Sequence, residues 1–421
     1  MLRKEMIALI VIIFFSIGGC VSGAAPILIE TKELSVQGGL TLEQFAEPWK
    51  IIIDNFFTAL PDTPDAQLAC FQKTIAHGLS LCLNDPFSRY LNQEEAMNLI
   101  DEMSGSLTGI GLILSQDKTS IVIEGIMEQS PAQGSGMLSI GDEIIEVDGR
   151  DVSKEFLVEV VKRIRGHVGT QIIIRVRRNG VLLAPVTLVR QEIFIPSVYA
   201  RDIDDHIVYV QVRDFNVHTP AEFFITIIRR LIVTPLFGEK YLNPYARKFI
   251  FDLRGNPGGL VDSVAWMSYF FSQDPNQIIL TRKLRSRQEI FRISDIIPHA
   301  RIEPGIFKDV RAVILIDQGS ASAAEIFAAF VHEAVGASRV GKRSFGKGTI
   351  QEIFPLSHGD MVLLTIAEYF VGNSQTQIHH IGIQPEYEVE RSMQHHDDGS
   401  KIILDPAEDL QLKKAIEVLR N

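Results

Sequence analysis

An uninterrupted apolar run, Ala312-Val313-Ile314-Leu315-Ile316, stops at Asp317-Gln318-Gly319; after Ser320-Ala321-Ser322 the chain resumes with Ala323 to Val331, a stretch rich in helix formers. A segment apolar at every position, rather than at alternate ones, fits a strand covered on both faces, as in the middle of a parallel sheet. Strand, tight turn and buried helix are thus predicted in that order, with Ser322 at the turn and only small side chains around its hydroxyl. A second apolar strand, Lys248-Phe249-Ile250-Phe251, runs into Asp252-Leu253-Arg254-Gly255-Asn256-Pro257-Gly258-Gly259, whose glycines let main-chain N–H groups come close to a ligand. Alternating β and α segments from Ile207 to Val389 complete the expectation of an α/β core with parallel strands.

A serine hydroxyl at such a turn is a candidate nucleophile, but it holds its proton too tightly to attack without a base in reach. Lys347, in Ser344-Phe345-Gly346-Lys347-Gly348-Thr349-Ile350-Gln351, is the candidate base. Lysine ionises near pH ~10.4 in water and must be neutral to accept a proton, so a dry pocket is required, which Phe345 and Ile350 are expected to supply. If Lys347 to Phe354 is extended, Lys347, Thr349 and Gln351 share one face, which lets Gln351 orient the amine. The helix after Ser322 offers unpaired N–H groups and the positive end of its dipole to an oxygen that turns negative in acyl transfer, and the glycine-rich loop offers a second donor. Two plainer readings use the same residues. Ser322 with Glu325 is also a capping box, and Ser320 presents an alternative hydroxyl.

The strings GSASAAEI, SFGKGTIQ and DLRGNPGG, with Lys347 twenty-five positions after Ser322, together resemble the C-terminal processing peptidases, serine proteases that use a Ser-Lys pair. The resemblance runs from about Asp85 to the end of the chain. It implies a crotonase-like α/β protease core, Ser322 as nucleophile, Lys347 as its base and Gln351 as support for the lysine. It also implies an oxyanion site formed by Ala323 N–H with Gly258 or Gly259. One departure is that Tyr369 to Pro385 lacks the Pro-Ser-Gly-Arg and Gly-Lys-Gly strings expected at the substrate groove.

From Gly105 to about Arg190 the texture changes to short strands and glycine turns. Leu107 to Leu114, Ser120 to Ile126, Ser130-Pro131-Ala132, Leu138 to Gly149 and Gln171 to Arg177 resemble a PDZ domain, a module that adds a peptide's C-terminal residues as an extra strand and holds the carboxylate on backbone amides. Gly109, Ile110 and Gly111 match that carboxylate loop, with Ile110 and Leu112 offered to the final side chain. Arg165 resembles a family arginine that signals PDZ occupancy, and is equally read as a solvated helix-end arginine.

Arg3 and Lys4 precede an apolar run from Met6 to Phe15, followed by Ser16-Ile17-Gly18-Gly19-Cys20. This pattern reads as an export signal, since the run is short for a bilayer span. Ile-Gly-Gly-Cys resembles a bacterial lipoprotein box with Cys20 as the lipidated residue; ordinary cleavage near Gly23-Ala24-Ala25 is the alternative. The expected address is the periplasm of a bacterial cell envelope, with or without membrane attachment through Cys20. Helices are expected over Leu42 to Ala59, Pro64 to Leu83 and Gln93 to Met103, with Asn84 to Leu91 as a turn. Cys70 and Cys82 would lie ~18 Å apart on one unbroken helix, beyond disulfide reach, whereas a break at Gly78 would leave a bridge open. The organisation predicted is a signal over 1–20, an N-terminal helical region over 21–104, an inserted PDZ domain over 105–190, a protease core over 191–390, and a tail over 391–421 that ends in a helix.

The net charge of −11, with no basic stripe, argues against nucleic-acid binding. His332 lies ten residues beyond Ser322 on the same helix, ~15 Å along its axis, too far for a Ser-His pair. His379-His380 and His395-His396 lack the partners of a metal site, so no metal or cofactor is expected. These features predict an exported serine endopeptidase that docks protein or peptide substrates with free C-terminal tails and cleaves near the C-terminus. Oligomerisation or an activating partner stays open. The rivals are a catalytically inactive envelope PDZ adaptor and a crotonase-type acyl-CoA enzyme.

Overall fold

The computed structural model describes residues 83–117, 120–204, 206–233, 241–242, 248–296, 302–356, 359–390 and 409–421. The export signal, Cys20, the two helices expected upstream of residue 83, Cys70 and Cys82 lie outside them.

The core is a six-stranded sheet in the order Val198–Asp202, Ile207–Val212, Lys248–Asp252, Arg311–Ile316, Ser338–Gly341, Tyr387–Glu388. Its first pair is antiparallel and the remaining pairs are parallel. The continuous apolar runs have the reason inferred from sequence: alternate side chains enter different cores. Phe249, Phe251, Ile314 and Ile316 face one layer, while Ile250, Val313 and Leu315 face the other. The first layer holds the helices Thr219–Leu231, Val261–Tyr269 and Ala323–Val335. Phenylalanines fill it, Phe223 meeting Phe251 and Phe327 at centroid separations of 5.4 and 5.7 Å.

The opposite layer is the helix Leu410–Arg420, which buries Leu412, Ala415, Ile416 and Leu419 against Tyr209, Ile250 and Leu315. A buried ion cluster pins its start. Arg254 contacts Asp252 at 2.6 Å and Asp409 at 2.9 Å, Asp409 caps the helix through Leu412 N–H at 3.0 Å, and Tyr209 Oη donates to Asp252 at 2.7 Å.

A second, antiparallel sheet is organised on the long strand Met361–Val371, which pairs with Arg89–Leu91, Ile278–Leu284, Thr349–Pro355 and Thr376–Gln377. The turn expected over Asn84 to Leu91 is therefore only half a turn. Asp85 makes it by accepting from Phe87 and Ser88 N–H, each at 3.1 Å. Arg89–Leu91 then continues as an edge strand, because Tyr90 and Leu91 have apolar surface to bury.

The PDZ unit has its own sheet, ordered Leu112–Asp117, Ser120–Ile126, Glu143–Val147, Gln171–Arg178, Val181–Leu182. The helix Leu157–Ile164 lies over it, and Ile121, Ile123, Val147, Val160 and Ile174 form a separate core. Its incoming strand Ser106–Gly109 and outgoing strand Gln191–Phe194 pair antiparallel with each other. The helix Gln93–Ser104 before the first and the segment after the second are tied to the α/β core by main-chain hydrogen bonds, Val217 N–H to Met103 C=O at 3.1 Å and Arg213 N–H to Ser197 C=O at 2.8 Å.

Candidate active site

The end of strand Arg311–Ile316 is tied to the glycine-rich loop by one side chain. Asp317 Oδ1 accepts from Gly255 N–H at 2.8 Å and from Gly319 N–H at 2.9 Å. Ser320 is a second tie, fully buried, donating to Leu253 C=O at 2.8 Å while accepting from Asp317 N–H at 3.0 Å. It is therefore a strut between the two loops and not the alternative nucleophile.

Ser322 sits at φ 55° and ψ −118°, backbone angles that L residues rarely adopt. Such strain costs on the order of 1–3 kcal/mol and persists where surrounding contacts fix it. Half of the capping box exists: Ser322 N–H donates to Glu325 Oε2 at 2.9 Å. The Glu325 N–H goes to the Ser322 carbonyl at 2.8 Å, so the hydroxyl is not spent on a helix amide.

Gly258 presses on this turn. A Cβ there, at φ 104°, would stand 2.7 Å from Ser322 Cβ and 3.0 Å from Ala323 N, so only glycine fits. Its own N–H, however, donates to Asn256 Oδ1 at 2.8 Å. Gly259 N–H and Ala323 N–H have no acceptor among the described residues. Of the two glycines expected at the oxyanion site, Gly259 carries the uncommitted donor, because Asn256 occupies that of Gly258.

Lys347 is half-buried, with its Nζ 4.9 Å from the centre of the Phe87 ring. Burial holds its pKa below the ordinary lysine value and the nearby Arg89 charge acts in the same direction, while Asp85 and Glu325 oppose. The dry side is not supplied as expected, since Phe345 is 59% exposed and turns outward. Phe87, carried in by the Asp85 turn, takes that place.

No hydrogen bond joins Lys347 Nζ to Ser322 or Gln351 among the described residues. Gln351 Nε2 donates to Thr349 Oγ1 and Thr365 Oγ1, each at 3.0 Å. Thr349 and Gln351 do share a face, but the strand begins at Thr349, so the alternation does not extend to Lys347, and a register slip between Ile350 and Gln351 sets Gln351 opposite Thr365.

Three residues here escaped the sequence reading as site components: Phe87, Glu325 and Tyr369. Glu325 is buried, and both its oxygens accept: Oε1 from Ser344 Oγ at 2.5 Å and Gly346 N–H at 2.7 Å, Oε2 from Ser322 and Lys347 N–H at 2.9 Å each. Burial pushes its carboxyl up in pKa, and these donors oppose the rise. The available signal was an acid one turn into an otherwise apolar helix, where a solvent-facing cap has no place.

In the PDZ unit, Gly111 has φ 80°, and a Cβ there would meet Ser130 Cβ at 2.1 Å. Ile110 is wholly buried in the module's core beside Ile121 and Val160, so its side chain packs inward. Leu112–Asp117 is the edge strand of the described sheet and faces the helix Leu157–Ile164. Arg165 Nη1 donates to Asn98 Oδ1 at 2.8 Å, on helix Gln93–Ser104, and so is not merely solvated.

His332 Nδ1 lies 2.9 Å from Ala337 C=O, and the His379 and His380 ring centroids stand 3.8 Å apart with the planes tilted by 38°. Among the described residues no cluster of His, Cys, Asp and Glu could hold a metal, and no helix is long and apolar enough to cross a membrane.

Comparison with known proteins finds Peptidase family S41 over residues 206–389 and a PDZ domain over residues 98–177. The carboxy-terminal processing protease CtpA of Bacillus subtilis is 31% identical over 74% of this chain, a match that spans 62% of that protein, less than two thirds of its length. A carboxy-terminal-processing protease of Bartonella bacilliformis is 30% identical over 82% of this chain and 81% of its own length. Among solved structures, a photosystem II D1 C-terminal processing protease aligns over 83% of this chain and 94% of its own, with 22% identity and a TM-score of 0.43.

Proposed function

The chain belongs to peptidase family S41, and from that premise we propose that it is an exported serine endopeptidase that takes protein tails on its PDZ module and cleaves them near the C-terminus through Ser322 and Lys347. The observation that carries this reading is the strained Ser322, with no hydrogen bond from its hydroxyl to a helix amide, packed against Gly258, while the N–H groups of the adjoining Ala323 and Gly259 are uncommitted among the described residues.

Each group has a chemical task. The Lys347 amine, its pKa held below the ordinary lysine value by burial, leaves the Phe87 ring and in its neutral form takes the Ser322 proton. The Ser322 oxygen attacks the scissile carbonyl, whose oxygen becomes negative and is held by Ala323 N–H and Gly259 N–H; such donors contribute about 100- to 1000-fold each. The tetrahedral species collapses, Lys347 returns its proton to the departing amine, and an acyl-enzyme remains. Water then repeats the sequence, releasing the acid and restoring Ser322. Gln351 supports Lys347 in this scheme only after turning from Thr349 and Thr365.

The tail is taken as a further strand on the edge Leu112–Asp117, with its carboxylate on the N–H groups around Gly109, Ile110 and Gly111. Export rests on the basic start and apolar run before Cys20, and lipidation on the Ile-Gly-Gly-Cys string. Incorporation of labelled palmitate that vanishes in Cys20→Ala is the expected result, and persistence of the label overturns it.

The decisive test is hydrolysis of a peptide bearing an apolar tail. Ser322→Ala and Lys347→Ala are each expected to lose cleavage and fluorophosphonate labelling while keeping the fold by circular dichroism. Full activity in Lys347→Ala would refute the base. A wild-type protein that binds tails and neither cleaves nor labels would instead make it a PDZ adaptor.

A further inference from the structure

The two reacting residues lie on different elements, Ser322 at the head of helix Ala323–Val335 and Lys347 in the loop before strand Thr349–Pro355. No hydrogen bond joins their side chains among the described residues, yet their main chains share two side-chain ties. Oε2 of Glu325 accepts from both N–H groups, each at 2.9 Å. The Tyr369 hydroxyl reaches both carbonyls, Lys347 at 2.6 Å and Ser322 at 3.2 Å. Tyr369 is fully buried and donates its own N–H to Gly348 C=O at 2.9 Å.

We infer that Glu325 and Tyr369 are positioning residues that form a two-sided clamp, Glu325 gripping the N–H groups and Tyr369 the carbonyls of Ser322 and Lys347, and so set the distance across which the proton moves. The inference rests on the assignment of Ser322 and Lys347 made above. The clamp binds no substrate atom, yet it acts on the main chain of both members of the pair at once. One phenol proton serves two carbonyls, and the shorter contact shows that the Lys347 side takes most of it. The opposing Glu325 oxygen, Oε1, extends the grip to Ser344 and Gly346, so the loop before Lys347 is held over three residues. A misplacement of about 1 Å in such a pair costs on the order of 100-fold in rate, which makes small losses of grip measurable.

The test uses the full chain and a tail-bearing peptide substrate, with kcat, KM, tail affinity and the pH profile of kcat measured for Tyr369→Phe and Glu325→Gln. Tyr369→Phe removes one oxygen and keeps the ring, so folding is preserved. Its kcat is expected to fall about 10- to 100-fold, scaled from the positioning loss just given, with KM, tail affinity and the pH profile unchanged. Glu325→Gln is expected to lower kcat similarly and to move the ascending limb of the profile to lower pH. The groups facing Lys347 are Arg89, Asp85 and Glu325, and removing the Glu325 charge leaves Arg89 less opposed. A structural role alone would not move that limb.

Wild-type kcat in folded Tyr369→Phe, alongside an inactive Ser322→Ala control, overturns the clamp and leaves the dyad standing. An active Ser322→Ala overturns the dyad and the clamp's purpose with it. Should Glu325→Gln fail to fold, Tyr369→Phe decides alone.

Discussion

Ser322 and Lys347, twenty-five positions apart, donate their main-chain N–H groups to the same oxygen, Glu325 Oε2, over equal distances of 2.9 Å. With both backbones fixed to one buried atom, the freedom left to the pair is mainly that of the lysine side chain. The amine that rests over Phe87 at 4.9 Å is the moving part.

The pH dependence of hydrolysis should follow that amine. With its neutral form as the proposed base, rate is expected to rise with pH through its pKa, which Arg89 helps to depress. Arg89→Gln is expected to move the ascending limb of kcat to higher pH, with a smaller effect at high salt because Arg89 is exposed. Phe345→Ala, at an outward-facing ring, leaves the limb in place. A limb that moves with Phe345 and not with Arg89 would contradict this account.

The two glycines behind the nucleophile should fail differently. A Cβ on Gly258 strikes Ser322 Cβ at 2.7 Å, whereas on Gly259 it strikes the Phe215 carbonyl at 2.3 Å. Gly258→Ala pushes Ser322 out of line and is expected to lower kcat on the order of 100-fold, the scale of a roughly 1 Å misplacement, with a smaller loss of melting temperature than Gly259→Ala. Gly259→Ala disrupts the pairing of Phe215 with the loop and lowers both. Thermal melts beside turnover assays separate them.

The ion cluster under the C-terminal helix should carry much of the stability of that layer. Removing Arg254 takes its counter-charge from the buried Asp252 and Asp409 carboxylates, a loss of about 3–5 kcal/mol. Urea titration of Arg254→Ala checks this, and a change below 1 kcal/mol, roughly the value of a surface pair, would show the cluster to be dispensable.

Glu222 supplies a stability prediction with an unusual sign. Its Oε2 accepts from Ser197 and Val198 N–H, while Oε1 is buried without a partner, and burial raises its pKa above the ordinary carboxyl value. The folded state thus holds this proton more tightly than the unfolded state does. Its contribution is greatest below the unfolded pKa and is lost as pH rises through the raised one. Glu222→Gln should flatten this part of the stability–pH curve, read by denaturant titrations from pH 4 to 8, about the carboxyl-to-neutral range.

The core was legible because its strands are apolar at every position, a pattern that a sheet covered on both faces demands of Phe249 to Phe251 and Val313 to Ile316. The turn at Ser322 was legible for a related reason, since small residues there have no other physical use. Tertiary partners were not. Phe87 lies far from Lys347 in sequence and reaches it only because Arg89–Leu91 joins the strand carrying Thr365. Phe345, only two positions before Lys347 in the chain, is turned to solvent. Gln351 was assigned by strand alternation, and a one-residue slip in register was enough to turn it toward Thr365.

The paired strands Ser106–Gly109 and Gln191–Phe194 make the PDZ unit a detachable cassette. Its two threads leave the catalytic body side by side, so joining Gly109 to Gln191 with a two-residue hairpin would close the gap without moving either. A lineage could exchange or discard the unit in one recombination event and keep the cutting machinery intact.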